Sequence, residues 1–286
     1  MICVPEIYCS MSIILIIRSS HAKSYVYHNT HLQDMHLRVL GGRDVTPGEY
    51  SFAIILIDLF ELSNGIRICT GVMITENWGL TAAHCVDLDK YYSVWFENFT
   101  ESPFVTDLYA DVLEIFLHPS YRCLATDGGR KDTLVNNDIS LFRSKKVNLT
   151  SYGRLSSVDH TSLIGLPVTY VGGGVTTKMP LKEDMYKPLQ VGEGAIITCS
   201  PEMRSISKYT ICIAPKCSSR LQKPWYGDSG GPLIVDGMIV GICSFGVESG
   251  VVSHASYAPI SPYIEWIYDV MHTNRYKSIK VKRPWS

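Results

Sequence analysis

The chain has 286 residues, 46% of them hydrophobic, with 26 Lys and Arg against 27 Asp and Glu for a formal net charge of −1. That apolar fraction over that length supports a full core, in one large all-β domain or two smaller ones, and excludes a largely disordered chain. The near-zero net charge removes the electrostatic case for a nucleic-acid partner, because phosphate recognition needs a concentrated basic surface.

Residues 1–22 read as a signal peptide: Ile7 to Ile17 is mostly apolar, Arg18 ends the run, and Ser20-His21-Ala22 carries the small residues of a cleavage site. The signal is imperfect, since Glu6 and no Lys or Arg precede the run, and Met11 offers an alternative start. The run is shorter than the roughly 20 apolar residues that span a bilayer, and no second one follows, so the expectation is a secreted, extracellular protein with no membrane anchor. Loss of Cys3 and Cys9 with that peptide would leave Cys69, Cys85, Cys123, Cys199, Cys212, Cys217 and Cys243 of the nine cysteines. In an oxidising compartment these are disulfide material, and an odd number cannot all pair within one chain. No C-x-x-C occurs, and His21, His28, His31 and His36 fall in a polar segment upstream of the fold, so neither a metal site nor a cofactor is expected. Two sequons, Asn98-Phe99-Thr100 and Asn148-Leu149-Thr150, are compatible with glycosylation on the same route.

From Val39 onward short strands alternate with turns: "SFAIILID" at Ser51, "RICTGVMIT" at Arg67, "YSVWFENF" at Tyr92, "ADVLEIFLH" at Ala110 and "NDISLF" at Asn137. After a boundary near Thr150 to Gly165 a second series follows, with "LPVTYVGGG" at Leu166, "AIITC" at Ala195, "YTICIA" at Tyr209 and "PLIVDGMIVGICSFG" at Pro232. Asp236-Gly237, set between two apolar runs, predicts a two-residue hairpin. Such a pattern indicates all-β barrels or a sandwich rather than a parallel α/β sheet, in two subdomains whose cleft can hold a site. Ser261 to Met271, "SPYIEWIYDVM", reads as the single helix, with a serine cap, a first-turn proline, and Ile264, Ile267, Tyr268 and Met271 on one face. The basic tail from about Asn274 reads as a solvated end.

Three stretches carry chemistry. "LTAAHCV" places His84 at the end of a strand, "VNNDISLF" places Asp138 before an apolar run, and "PWYGDSGGP" sets Ser229 among glycines. A serine hydroxyl is a weak nucleophile until a base takes its proton, and an imidazole base needs an acceptor to hold its tautomer. Glycines beside the serine permit a tight turn and leave backbone N–H groups bare.

In the order His, Asp, Ser these stretches resemble the chymotrypsin-like, trypsin-fold serine peptidases, over about Val39 to Met271. The resemblance implies two antiparallel β-barrels of the chymotrypsin type with a C-terminal helix. It also implies Ser229 as nucleophile, His84 as base, Asp138 as its orienter, and the N–H groups of Gly227 and Ser229 as the oxyanion hole. "LRVLGG" resembles the family's activation junction, so residues 23–38 are expected to be a prosegment. Cleavage after Arg38 would free Val39 to pair with Asp228. Cys69 with Cys85, and Cys199 with Cys212, match family bridges. Cys123 and Cys217 either pair or bond another chain, and Cys243 reads as a buried small hydrophobe.

The chain departs from the family where the specificity pocket is braced: Trp225 and Gly250 stand near two bridge positions, Pro167 or Val168 and Val235 near another pair, and Gly172-Gly173-Gly174 replaces Gly-Trp-Gly. Lys223 falls at the pocket base if no insertion intervenes, with Tyr226, Ser244, Phe245, Gly246 and Ala255 expected around the pocket. An apolar or aromatic P1 residue is therefore expected first, an acidic one second, and a basic one last. The expected partners are a protein or peptide substrate, an activating protease and protein inhibitors, acting on a monomer. The alternative is a catalytically silent homologue that uses the fold as a secreted binding surface.

Overall fold

The computed structural model describes residues 39, 41–58, 66–87, 90–125, 133–174, 185–216, 222–224, 227–249, 252–273 and 275–281. The expected signal peptide, the prosegment and Arg38 lie outside them.

The elements in chain order are β1 (Arg43–Asp44), β2 (Ala53–Asp58), β3 (Ile66–Met73), β4 (Trp78–Thr81), β5 (Tyr92–Trp95), α1 (Pro103–Thr106), β6 (Tyr109–Leu117), β7 (Arg122–Ala125), β8 (Thr133–Asn136) and β9 (Ser140–Ser144). The second half contributes β10 (Pro167–Gly172), β11 (Gln190–Ile197), α2 (Pro201–Ile206), β12 (Ile211–Pro215), β13 (Pro232–Val235), β14 (Met238–Ser249), β15 (Val252–Pro259), α3 (Ile264–His272) and β16 (Ile279–Lys280). Strands β6-β5-β2-β3-β4-β9 form one antiparallel sheet that closes through β6 and β9, and β11-β10-β13-β14-β15-β12 form another that closes through β11 and β12. These are two six-stranded antiparallel barrels, with β16 and β1 extending the ladders of β6 and β11. Closure removes the edges that would otherwise pair with other chains.

The six consecutive buried residues of β2 follow from its place between the barrels. Side chains alternate along a strand, so Ile54 and Leu56 enter the core of the first barrel. Ala53, Ile55 and Ile57 point the other way, joining Trp95, Phe99, Val171, Leu189, Val191 and Ile234 in the layer between the barrels. A strand buried on both faces shows no polar alternation, which is why "AIILI" is continuous. The second core holds Val39, Val168, Tyr170, Val235, Cys243 and Tyr257. Here Val168 and Val235 meet as apolar neighbours where a bridge was expected to be missing.

Asp236 and Gly237 turn β13 into β14 with φ of 47° and 72°, the left-handed pair that a two-residue hairpin of matching twist requires. The helix departs from expectation in its buried face. In α3, Trp266, Ile267 and Val270 are buried against the first barrel, whereas Tyr268 is 60% exposed and stacks on His272 at 4.3 Å. Two further short helices open on Ser-Pro, as α2 shows: Ser200 Oγ accepts from Met203 N at 3.3 Å and Pro201 occupies the first turn. The tail is also not free: residues 279–280 pair with β6, and Ser278 donates to Glu114 at 3.2 Å.

Candidate active site

Strands β4 and β9 are neighbours in register, Thr81 opposite Ser140. Residues just past the end of one and just before the start of the other therefore emerge at the same end of the first barrel. Past β4, the chain makes a 3-10 turn over Ala83–Cys85 that carries His84, and a disulfide from Cys85 to Cys69 staples the turn to β3. In the chain-entropy model, closing a loop of this size contributes about 3 kcal/mol. Before β9, Asn137 takes a left-handed φ of 53° and delivers Asp138, which is 2% exposed.

Both oxygens of Asp138 hold His84: Oδ1 accepts the backbone N–H at 2.9 Å and Oδ2 faces the ring Nδ1 at 2.7 Å. An ionised carboxylate only accepts, so Nδ1 carries a proton and Nε2 is the nitrogen left to serve as a base. Ser244 Oγ also donates to Asp138 Oδ2. Burial by itself raises the carboxyl's pKa. The charge interaction with His84 and the hydrogen bonds from His84 and Ser244 outweigh it, leaving Asp138 below the ordinary carboxylate value.

The bond from Ser244 has a structural cause. Along β14 and β15, Cys243 pairs with Tyr257 and Phe245 with Ser256, so Ser244 is the extra residue of a β-bulge. A bulge breaks the alternation and re-aims one side chain, here toward the first barrel's carboxylate.

The segment from Gly227 to Gly231 precedes β13. Gly227 and Gly230 have φ of 85° and 80°, and Gly231 N closes a turn onto Asp228 O at 3.0 Å. The turn is laced to β14 by Gly230 N to Cys243 O (2.7 Å) and Cys243 N to Gly231 O (2.8 Å), and to β3 by Thr70 N to Ser229 O (2.8 Å). A Cβ on Gly230 would lie 2.1 Å from both Thr70 O and Thr81 Oγ1 and 3.1 Å from Ala82 N. No side chain fits there, so the turn seats directly on the strand end that leads to His84. The fold thus brings His84, Asp138 and the Ser229 turn to one junction between the barrels.

Asp228, also 2% exposed, points away from Ser229 into the second barrel. Its Oδ2 accepts from Val39 N at 3.2 Å, across 189 residues, and its Oδ1 from Gly174 N at 2.9 Å. Gly172 leaves the space: a Cβ there would sit 2.1 Å from Asp228 Oδ1.

Of the residues expected around a pocket, Ser244 commits its hydroxyl to Asp138. Phe245 is buried against Val135, Met203 and Cys212. Gly246 and Ala255 are register partners on β14 and β15. Lys223 is half-buried in the segment before the turn, and Tyr226 lies outside the described residues. The structure joins Cys199 to Cys212, leaves Cys243 free and buried, and places Cys123 in a further disulfide. Cys217, a candidate partner for it, is outside the described residues. Cys69, His84 and Cys85 bring three ligand-type atoms within 4.8 Å of one another, but both sulfurs are spent in the disulfide and offer no thiolate to a metal. Sequence reasoning missed Thr70, whose hydroxyl bridges the barrels, and its only local marker is adjacency to Cys69.

Two closed six-stranded barrels with this junction define a chymotrypsin-like fold. The family model described as Trypsin matches residues 40–267, and the chain belongs to this trypsin-fold serine protease family. Among curated proteins it is similar to duodenase-1 of Bos taurus, 26% identical and covering 84% of this chain and 91% of that one. Human chymotrypsin-like elastase family member 1 is 29% identical, over 87% of this chain and 98% of the relative. Among solved structures, neuropsin, a serine protease expressed in the limbic system of mouse brain, aligns with a TM-score of 0.61 and 27% identity, over 81% of this chain and 99% of that one.

Proposed function

We propose that the chain is a secreted serine endopeptidase made as a zymogen. The observation that carries this reading is the doubly held His84–Asp138 pair, set at the junction where the Ser229 turn seats on β3 and β4. In this reading the Ser229 hydroxyl oxygen attacks the scissile carbonyl carbon while its proton passes to His84 Nε2. The proton then goes to the leaving amine as the C–N bond breaks, and water hydrolyses the acyl ester by the same route in reverse. Asp138 keeps Nδ1 protonated and balances the imidazolium. The N–H groups of Gly227 and Ser229 face the developing oxyanion, each contributing about 3–4 kcal/mol to its stabilisation.

Zymogen activation follows from Asp228. Its carboxylate is buried and accepts from the backbone N–H groups of Val39 and Gly174, and a buried charge is best balanced by an opposite one. Cleavage of the Arg38–Val39 bond converts one of those donors into an ammonium, and the resulting ion pair fixes the turn that carries the oxyanion hole. The buried side chain of Val39 and the 3.2 Å contact support this assignment. Secretion is supported by the apolar N-terminal run and by disulfide usage, and among the described residues no helix is long and apolar enough to cross a membrane.

At the pocket, Lys223 rather than an acid falls at the base if no insertion intervenes, and the small residues Gly246 and Ala255 are register partners on β14 and β15. We assign a non-basic P1 preference, apolar or aromatic before acidic. The test is oxidative refolding of residues 23–286, cleavage after Arg38, and profiling against a peptide library varied at P1. Turnover that needs both cleavage and Ser229 supports the reading, as does a preference for non-basic P1. A folded, cleaved protein without turnover would instead be a silent binding homologue, and a preference for Arg or Lys would refute the pocket assignment.

A further inference from the structure

We infer that Thr70 is a positioning residue for the oxyanion-hole turn, an inference that rests on the peptidase reading above. Its side chain is fully buried on β3, beside Cys69. A hydroxyl has one proton to give and lone pairs to receive, and both capacities are used across the barrel junction. Thr70 Oγ1 donates to Gly227 O at 2.8 Å and accepts from Gly173 N at 2.8 Å. Its own backbone N–H donates to Ser229 O at 2.8 Å, and its carbonyl accepts from Thr81 Oγ1 at 2.9 Å.

One residue of the first barrel therefore grips the carbonyls on both sides of Asp228, those of Gly227 and Ser229. The Asp228–Ser229 peptide between them carries the N–H that faces the oxyanion, and with both neighbours held its plane has little freedom to rotate. The same hydroxyl holds Gly173, whose successor Gly174 donates to the Asp228 carboxylate at 2.9 Å. The Val39–Asp228 contact and the oxyanion donors are thus coupled to β3 through a single oxygen. Backbone bonds alone do not account for this: they tie Ser229 O but leave Gly227 O and Gly173 N without those partners once the hydroxyl is gone. Buried carbonyl and N–H groups find partners in native proteins, so the turn would shift to recover them.

The experiment compares Thr70→Val, which keeps the shape and removes the hydroxyl, with Thr70→Ser, which restores it. Three readouts apply: kcat and KM on the best library peptide, inhibition by a peptidyl boronic acid that mimics the tetrahedral state, and hydrogen exchange of peptides covering residues 170–174 and 227–232. In Thr70→Val, kcat falls about 10- to 100-fold, less than the loss of an oxyanion donor outright, with KM nearly unchanged. Boronate affinity falls in parallel, exchange quickens in both segments, and Thr70→Ser recovers all three. Equal kinetics and exchange in the Val and Ser variants would overturn the inference. So would a Val variant whose kcat, KM and exchange across the whole of β3 all worsen together, which is what a purely structural threonine produces. If the wild-type protein shows no turnover but Thr70→Val still loosens the turn while Thr70→Ser does not, the peptidase reading fails and the positioning role stands.

Discussion

Gly172→Ala tests how far the buried Asp228 carboxylate governs the site. A methyl group at Gly172 would lie 2.1 Å from Asp228 Oδ1, 2.4 Å from Cγ and 2.9 Å from Cβ, whereas ordinary contact begins near 3.4 Å. The carboxylate must therefore move by more than 1 Å. It has no slack, because Oδ1 is held by Gly174 N at 2.9 Å and Oδ2 by Val39 N at 3.2 Å. Overpacking costs about 1–3 kcal/mol, and weakening one charged hydrogen bond adds about 1.5–3 kcal/mol, so the variant should lose roughly 2.5–6 kcal/mol. For a domain of this size each kcal/mol lowers Tm by about 2–4 °C, giving a drop of roughly 5–24 °C. Because the Val39 contact and the oxyanion turn share Asp228, the fraction of molecules labelled by an active-site phosphonate should fall in step. The assay pairs guanidinium unfolding midpoints with phosphonate titration after cleavage at Arg38. A variant as stable and as fully titratable as the wild type would mean that Asp228 relocates without consequence and does not govern the site.

Three further outcomes follow from the same geometry. Asp138→Asn should lower kcat about 10⁴-fold, as the same exchange costs in the family's template enzyme, because an amide cannot enforce the Nδ1–H tautomer. It should also change the acid response: a depressed carboxyl contributes stability above its unfolded value of 3.8 that is lost as pH falls through the lower folded value. Guanidinium midpoints of the wild type should therefore drop toward the variant's below about pH 3.8, and parallel curves at all pH would contradict the assignment. Burial, and secondarily the nearby Asp228 charge, push the Cys243 thiol well up. Iodoacetamide at pH 8 should then leave Cys243 unmodified in the native protein and alkylate it in denaturant, as read by peptide mass; native labelling would show that the strand beneath the Ser229 turn opens.

Much of this was legible in the sequence because local signals and tertiary demands coincide. Strand runs such as "AIILID" are apolar because they are buried on both faces, and Asp236-Gly237 fits a two-residue turn whose twist matches that of β13 and β14. The pattern predicts the helix but puts Tyr268 on its buried face, since with Trp266 and Val270 one step round the helix has two adjacent apolar stripes and only the barrel selects between them. Ser244 was expected on the pocket wall, and a bulge at a single residue carries no pattern that would announce its turn toward Asp138. Thr70 was invisible because its partners, Gly227 and Gly173, are more than 100 residues away. The basic tail reads as solvent-facing by composition, yet residues 279–280 extend the ladder of β6, which no local charge count reveals.

In the proposed mechanism Ser229 is a nucleophile armed by His84 and Asp138. This role is tested most directly by reacting the Arg38-cleaved protein with a fluorophosphonate and locating the adduct by peptide mass. The expected result is stoichiometric modification at Ser229, absent in Ser229→Ala and strongly slowed in Asp138→Asn. A folded, cleaved protein that takes up no label, or takes it elsewhere, would contradict it.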